Sequence, residues 1–262
     1  MDSRRLRYLR ALDIDVWQRR GQALAEALTG PATLVEPTAL RKTPQEPALR
    51  PERPVKPLPT TSTVSPDPTV ASMGWDALIE TVGSCTRCPL HATRTQSVFG
   101  VGNRTAKWMV IGEAPGAEED RQGEPFVGRA GQLLNSMLKA IGLAREQVFI
   151  ANILKSRPPN NRDPRPEEVR ACIPYLFRQI ELINPTLVLC VGRIAAQTLL
   201  ETDTPIGKLR GRLHQVGPGR PMIVTYHPAY LLRSPGEKRK AWADLVLAMQ
   251  TFERLTAAGQ MT

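Results

Sequence analysis

The sequence predicts an α/β protein, a three-layer α/β/α sandwich around a central, mainly parallel four-stranded sheet. Three observations carry that expectation. Short apolar runs at 108–111, 148–151, 186–191 and 222–225 have the length and continuity of strands buried on both faces. Helical spacing of apolar residues fills the intervals, at about 131–141, 166–183 and 193–200. Strands and helices in alternation imply parallel pairing and right-handed crossovers. Finally, the runs at 108, 148 and 222 each lead straight into a polar motif, and open α/β sheets bind ligands beyond the carboxyl ends of their strands.

The elements follow in order. Residues 1–30 form a helical segment in which Leu6, Leu9 and Leu12 recur every third position among Arg4, Arg5, Arg7 and Arg10. Such a basic amphipathic helix suits docking on the main domain or contact with a partner. Residues 31–71 are rich in proline and threonine without apolar periodicity, which reads as a disordered linker. The main domain then spans 72–258. Its first helix carries Trp75, Leu78, Ile79 and Val82 and runs into Cys85-Thr86-Arg87-Cys88. The helix at 166–183 starts on proline, whose fixed φ suits a first turn, and places Glu167 and Glu168 at the positive end of the helix dipole. Pro174 should bend it. A last helix at 237–255 sets Trp242, Leu245, Val246, Met249 and Phe252 on one face and closes the core.

The chain has 262 residues and a formal charge of +10. That balance points to a polyanionic partner, nucleic acid first, because cations that neutralise phosphates gain affinity by releasing counterions. No apolar run approaches the roughly 18 to 20 residues of a membrane helix. The amino terminus lacks the apolar core of a secretory signal, so the expected location is cytoplasmic. Four cysteines are too few for a disulfide scaffold and read as metal ligands or buried apolar residues.

The stretch 112–128, GEAPGAEEDRQGEPFVG, joins a strand to a helix and gathers Glu113, Glu118, Glu119 and Asp120 in a basic protein. Gly112 and Gly116 permit a close backbone approach to a ligand. Asn152 follows the second run and His227 follows the fourth. Alone, the first reads as a strand-end cap, the second as a structural histidine and the acidic loop as a helix cap. Together they bring an amide, an imidazole and a carboxylate loop to one sheet edge. Those groups suit reading a planar heterocycle and stabilising an anion that develops on it.

From about Ser72 to Leu255 the chain resembles the family 4 uracil-DNA glycosylases, the iron–sulfur type. The resemblance rests on GEAPGAEED, PFVGRAGQLLN, ANILKSRPPNNR, HPAYLLR, the Cys85/Cys88 pair and Cys172. It implies a monofunctional enzyme that flips uracil out of single- or double-stranded DNA and hydrolyses its glycosidic bond to begin base-excision repair. Phe126 would stack on the base, Asn152 would read its Watson–Crick edge and His227 would donate to a carbonyl oxygen. Gly112 and Ala114 would line the pocket, and Glu119 would exclude the thymine methyl group. Where the best-known uracil family has an aspartate, this chain has Ala114. Water positioning falls to Glu113 or Asn161, with Glu113 reading equally as a structural carboxylate. Leu231, Leu232 and Arg233 suit a wedge that fills the gap left by the flipped base. Lys155, Arg157, Arg162, Arg210, Arg212, Lys238, Arg239 and Lys240 are the expected phosphate contacts.

The family holds a 4Fe-4S cluster on four cysteines, which implies Cys85, Cys88 and Cys172 as ligands here. The remaining position is Ser156, and a hydroxyl is a poor substitute for a soft thiolate. Three outcomes stay open: a 4Fe-4S cluster with oxygen on one iron, a three-iron cluster, or no metal. Cys190 lies within an apolar run and reads as a buried hydrophobe, while zinc on three cysteines and His91 fits the spacing loosely. The competing functional reading is a DNA-binding module of the same fold that has lost catalysis. The chain is expected to act as a monomer, with 1–70 available to tether a repair or replication protein.

Overall fold

The computed structural model describes residues 68–217 and 219–259. The helical segment read at 1–30 lies outside them, as does the Pro-rich stretch except for its last turn, which is helical at Pro68–Ala71 (α1). Six strands form one sheet: β1 Val101–Gly102, β2 Trp108–Gly112, β3 Phe149–Asn152, β4 Leu187–Val191, β5 Leu213–Val216 and β6 Arg220–Thr225. Their order is β1-β3-β2-β4-β6-β5. The inner four, β3-β2-β4-β6, are parallel throughout and are the four strands expected. The two edges are antiparallel additions. They leave little trace in the sequence, since β1 has two residues and half of β5 is exposed.

Every residue of β2, β3 and β4 is buried, and the two-residue period of the strands divides their side chains between two cores. Met109, Ile111, Val188 and Val224 pack on one face against Ile173, Leu176 and Ile180 of α5 (Pro166–Ile183). Val110, Ile150, Leu189 and Ile223 pack on the other against Leu134 and Leu138 of α4 (Arg129–Ala140) and Leu245 of α9 (Lys238–Gly259). Helices therefore cover both faces. The others are α2 Trp75–Gly83, α3 Ala117–Gln122, α6 Arg193–Leu199, α7 Ile206–Leu209 and α8 Pro228–Arg233. Short α3 stands inside the segment read as a loop, and α5 continues through Pro174 as one helix.

A buried ion pair joins the last helix to the sheet. Asp244 of α9, fully buried, accepts from both Nε and Nη2 of Arg210 at 2.9 Å and from the Thr225 hydroxyl at the end of β6 at 2.9 Å. Burial pushes its carboxyl pKa up, against the opposing pull of Thr225 and Arg210. Asp244→Ala removes the carboxylate that holds the Arg210 guanidinium, which is itself mostly buried. Breaking such a pair typically costs about 3–5 kcal/mol, and urea denaturation is expected to show a loss in that range with the slope unchanged.

Candidate active site

The carboxyl ends of the parallel strands open onto a cavity of about 720 Å³, within the range that holds a small organic ligand. β2 and β3 pair in register with Gly112 opposite Asn152. A Cβ on Gly112 would fall 2.4 Å from Asn152 Oδ1 and 2.6 Å from Phe126 Cζ. Only a glycine lets the amide and the ring meet over the strand end. Asn152 is 2% exposed, and its Oδ1 has no hydrogen-bond partner among the described residues. A buried polar atom left unpaired carries a desolvation penalty that a ligand can relieve.

Phe126 forms one wall. Its backbone lies in the left-handed region at φ 55°, an uncommon conformation for a bulky residue. Arg145 holds it there by donating to the carbonyls of Phe126 and Pro125. Glu119 braces the same segment from the other side. One carboxylate oxygen accepts from the N–H groups of Val127 and Gly128 at 2.9 and 3.0 Å, and the other accepts from Gly116 at 3.2 Å. Glu119 lines the cavity, and both its oxygens are engaged in folding the loop.

His227 caps α8, and its Nδ1 accepts from the Ala229 N–H at 3.1 Å. Burial, with Arg233 adding to it, lowers the imidazole pKa to about 4. The ring is therefore neutral near pH 7 with its proton on Nε2, a fixed donor. The Phe126 and His227 rings lie 30° from parallel with centroids 5.6 Å apart. Glu113 lines the cavity too, and burial followed by the neighbouring Asp163 charge raises its pKa to about 7. Asn161 also faces the cavity, where its Oδ1 accepts from Arg157 Nε at 2.8 Å. Ala114 contributes only a methyl group to the lining.

Several expected DNA contacts are placed differently. Lys155 is 1% exposed and donates to Asn152 O and Gln179 Oε1, so it is no phosphate contact. Burial lowers its pKa to about 7. Lys238 is 8% exposed and largely covered, and Arg210 is engaged by Asp244. Arg162 reaches the cavity rim with its guanidinium paired to the buried carboxylate of Glu168. Leu231 is 1% exposed, packed beneath α8 with Leu134 and Leu138. The exposed apolar tip of that helix consists of Leu232 and Tyr230 instead. Arg233, Arg212, Arg239 and Lys240 are exposed, although Lys240 pairs with Glu237.

The sequence reading passes over Asp163, Arg193 and Tyr226, which line the cavity together with Tyr230. Asp163 and Arg193 pair at 3.1 Å from separate elements, which no sequence spacing reveals. Tyr226 is discernible as the neighbour of His227. Its ring lies 5.0 Å from that of Tyr230, with the Arg210 guanidinium 5.3 Å over its face.

Cys85, Cys88, Cys172 and Ser156 are not among the residues that line the cavity. Cys88 and Cys172 share a hydrogen bond that lowers the Cys88 pKa to about 6, while the same bond and burial push Cys172 up. Cys85 Sγ accepts from the Tyr175 hydroxyl. Ser156 is buried, and its Oγ accepts from Arg94 Nη1 at 2.9 Å. Arg94 also donates to the carbonyls of Gly83 and Cys85. Among the described residues no group of three or more His, Cys, Asp or Glu is arranged to hold a metal ion. Cys88 and Cys172 place two soft sulfur donors together, whereas the Ser156 hydroxyl, already tied to a guanidinium, does not suit an iron–sulfur group. Cys190 is buried within β4 with its thiol pKa pushed far up. His91 is exposed and donates from Nδ1 to the Cys88 carbonyl.

A model of the uracil DNA glycosylase superfamily matches residues 99–246. The type-4 uracil-DNA glycosylase of Archaeoglobus fulgidus is 49% identical over 176 residues, which cover 64% of this chain and 88% of that protein. That of Pyrobaculum aerophilum is 42% identical over 182 residues, 67% of this chain and 93% of the relative. That of Thermotoga maritima is 47% identical over 156 residues, 59% of this chain and 81% of the relative. The span matched by the superfamily model holds the whole sheet and every residue that lines the cavity, and this chain belongs to the uracil DNA glycosylase superfamily, within its type-4 family.

Proposed function

We propose that the chain is a monofunctional uracil-DNA glycosylase, which extrudes uracil from DNA and hydrolyses its N-glycosidic bond as the first step of base-excision repair. The observation that carries this reading is the unpaired, buried Asn152 amide oxygen at a strand end, beside a neutral His227 and the Phe126 ring. A base must leave the stack to reach such a pocket, where stacking and edge hydrogen bonds identify it. Phe126 supplies the stacking face. Asn152 both donates and accepts, which matches the adjacent carbonyl and N–H of uracil's Watson–Crick edge.

Bond cleavage leaves positive charge on the sugar and negative charge on the departing base. A donor at His227 Nε2 stabilises the base anion, and its neutral state fixes it as a hydrogen-bond donor. Glu113 then has the matching task on the sugar side. Its ionised form orients water toward the anomeric carbon and takes up the proton released as the water adds. A carboxyl with a pKa near 7 is poised for that exchange at neutral pH. Among the described residues no lysine reaches the cavity lining, consistent with hydrolysis without an imine intermediate and without strand cleavage.

Around the mouth, Tyr230, Leu232 and Arg233 offer an apolar tip and a cation to the DNA that surrounds the flipped nucleotide. Cys85, Cys88 and Cys172 are the residues that would hold an iron–sulfur cluster, with no thiolate at the Ser156 corner. Such a cluster would serve as a structural tie between the end of α2, the Cys88 loop and α5. Uracil hydrolysis transfers no electron.

The direct test is uracil release from a labelled single-stranded oligonucleotide across the neutral pH range. Glu113 protonates as pH falls through about 7, so kcat/KM is expected to rise with pH through that point and level off above it. Glu113→Gln should flatten this limb and lower the plateau by about 10²-fold, the scale of a lost general base. Tight binding of uracil DNA with no released base would instead identify a binding module. For the cysteine region, Ser156→Cys is expected to raise measured iron per chain toward the full complement of a cube held by a complete set of thiolates. Unchanged iron would rule out this position as the missing corner.

A further inference from the structure

We propose that Lys155 is the positioning residue of Asn152, holding the main chain of the uracil-reading amide from within the protein. Its ammonium donates to the Asn152 carbonyl at 2.8 Å and to Gln179 Oε1 at 2.7 Å. Gln179 stands on α5, fully buried, and its Nε2 donates in turn to the Phe99 carbonyl at 2.9 Å. The peptide of Lys155 is itself anchored: its carbonyl accepts from the Val98 N–H at 2.8 Å, and its N–H meets the Cys172 sulfur. A connected set of hydrogen bonds thus runs from the segment before β1, through α5, to the last residue of β3.

Two physical arguments give this arrangement a functional sense. A buried lysine is costly, and an apolar side chain of similar length is often neutral or better for stability. A buried amine that donates to two acceptors here is therefore poorly explained by stability alone. In addition, Asn152 Oδ1 has no partner among the described residues, so that end of the amide gains no orientation from a hydrogen bond of its own. Its aim depends on the backbone that carries it. On one side β2 supplies that restraint through the pairing of Gly112 with Asn152. On the other side Lys155 supplies it at the carbonyl. Edge recognition requires placement to a fraction of an ångström, and a shift of about 1 Å can lower a rate about 10²-fold.

This inference rests on the glycosylase reading, and its test separates the two. Lys155→Met keeps an unbranched chain one atom shorter and removes the donors. It is expected to lower kcat/KM for uracil release about 10²-fold while affinity for undamaged DNA stays within about twofold, since no phosphate contact is lost. Gln179→Met, which removes the second acceptor of the ammonium, should shift kcat/KM in the same direction and gives an independent variant if Lys155→Met folds poorly. In an Asn152→Ala background neither change should reduce kcat/KM further, because the group they position is gone. A purely structural role would lower activity by the same factor in both backgrounds. A phosphate-contact role would weaken binding of undamaged DNA and reduce its salt dependence.

Binding of an oligonucleotide with 2′-fluoro-2′-deoxyuridine, which resists hydrolysis, supplies a readout without catalysis. Both variants should lose preference for it over the undamaged strand. If the unmodified protein releases no uracil yet this preference falls, the glycosylase reading fails and the positioning role stands. Unaltered kcat/KM and unaltered preference in properly folded Lys155→Met would overturn the proposal.

Discussion

The parallel pairing of Gly112 with Asn152 is the constraint on which the cavity depends. It brings the entrance of the acidic loop and the Asn152 amide to the same height at the sheet edge. The loop can then fold back so that Phe126 lies against the glycine where any side chain would collide. Arg145 and Glu119 hold that fold from opposite ends, one through carbonyls and the other through N–H groups. The rigidity of the pocket is therefore a property of backbone groups. Three polar side chains that stand on this frame, Asn152, His227 and Glu113, line the cavity.

Ionisation in the site follows from dehydration more than from pairing. Burial is the largest influence on both His227 and Glu113, and it moves them in opposite directions. The imidazole loses its charge and the carboxyl gains a proton more readily. One shared environment thus prepares a neutral donor and a group poised near neutrality, without a dedicated partner for either. The basic character of the chain is only partly available to DNA. Asp244 engages Arg210 and Glu168 engages Arg162, while Lys155 and Lys238 lie within the protein.

The inner sheet and its covering helices are legible in the sequence because their signal is local. Continuous apolar runs such as Leu187–Val191 cannot easily be anything but buried strands, and the periodicity of the helix at Pro166–Ile183 marks its own ends. The edge strands are not legible, because two paired residues or a half-exposed ladder leave no periodic trace. The same distinction applies to the site. Asn152, Phe126 and His227 stand in motifs, whereas Asp163 and Arg193 meet only through tertiary folding. Lys155 and Leu231 depart from expectation for a related reason. A lysine in a polar motif and a leucine at a helix tip look exposed in sequence, and only three-dimensional packing shows that each points inward. Pro174 lies within one continuous helix, with buried residues on both sides of it.

The left-handed backbone at Phe126 restricts how this family member can change over time. A wall residue in an ordinary strand or helix could drift among aromatic and β-branched side chains while preserving a flat apolar surface. At position 126 valine, isoleucine and threonine meet a steric barrier from the main chain before their fit to a base is ever tested. Asparagine, histidine and glycine tolerate that backbone but lack the same broad apolar face. The accessible sequence neighbourhood is consequently narrow, because a torsion angle screens side chains at this position before any contact they could make.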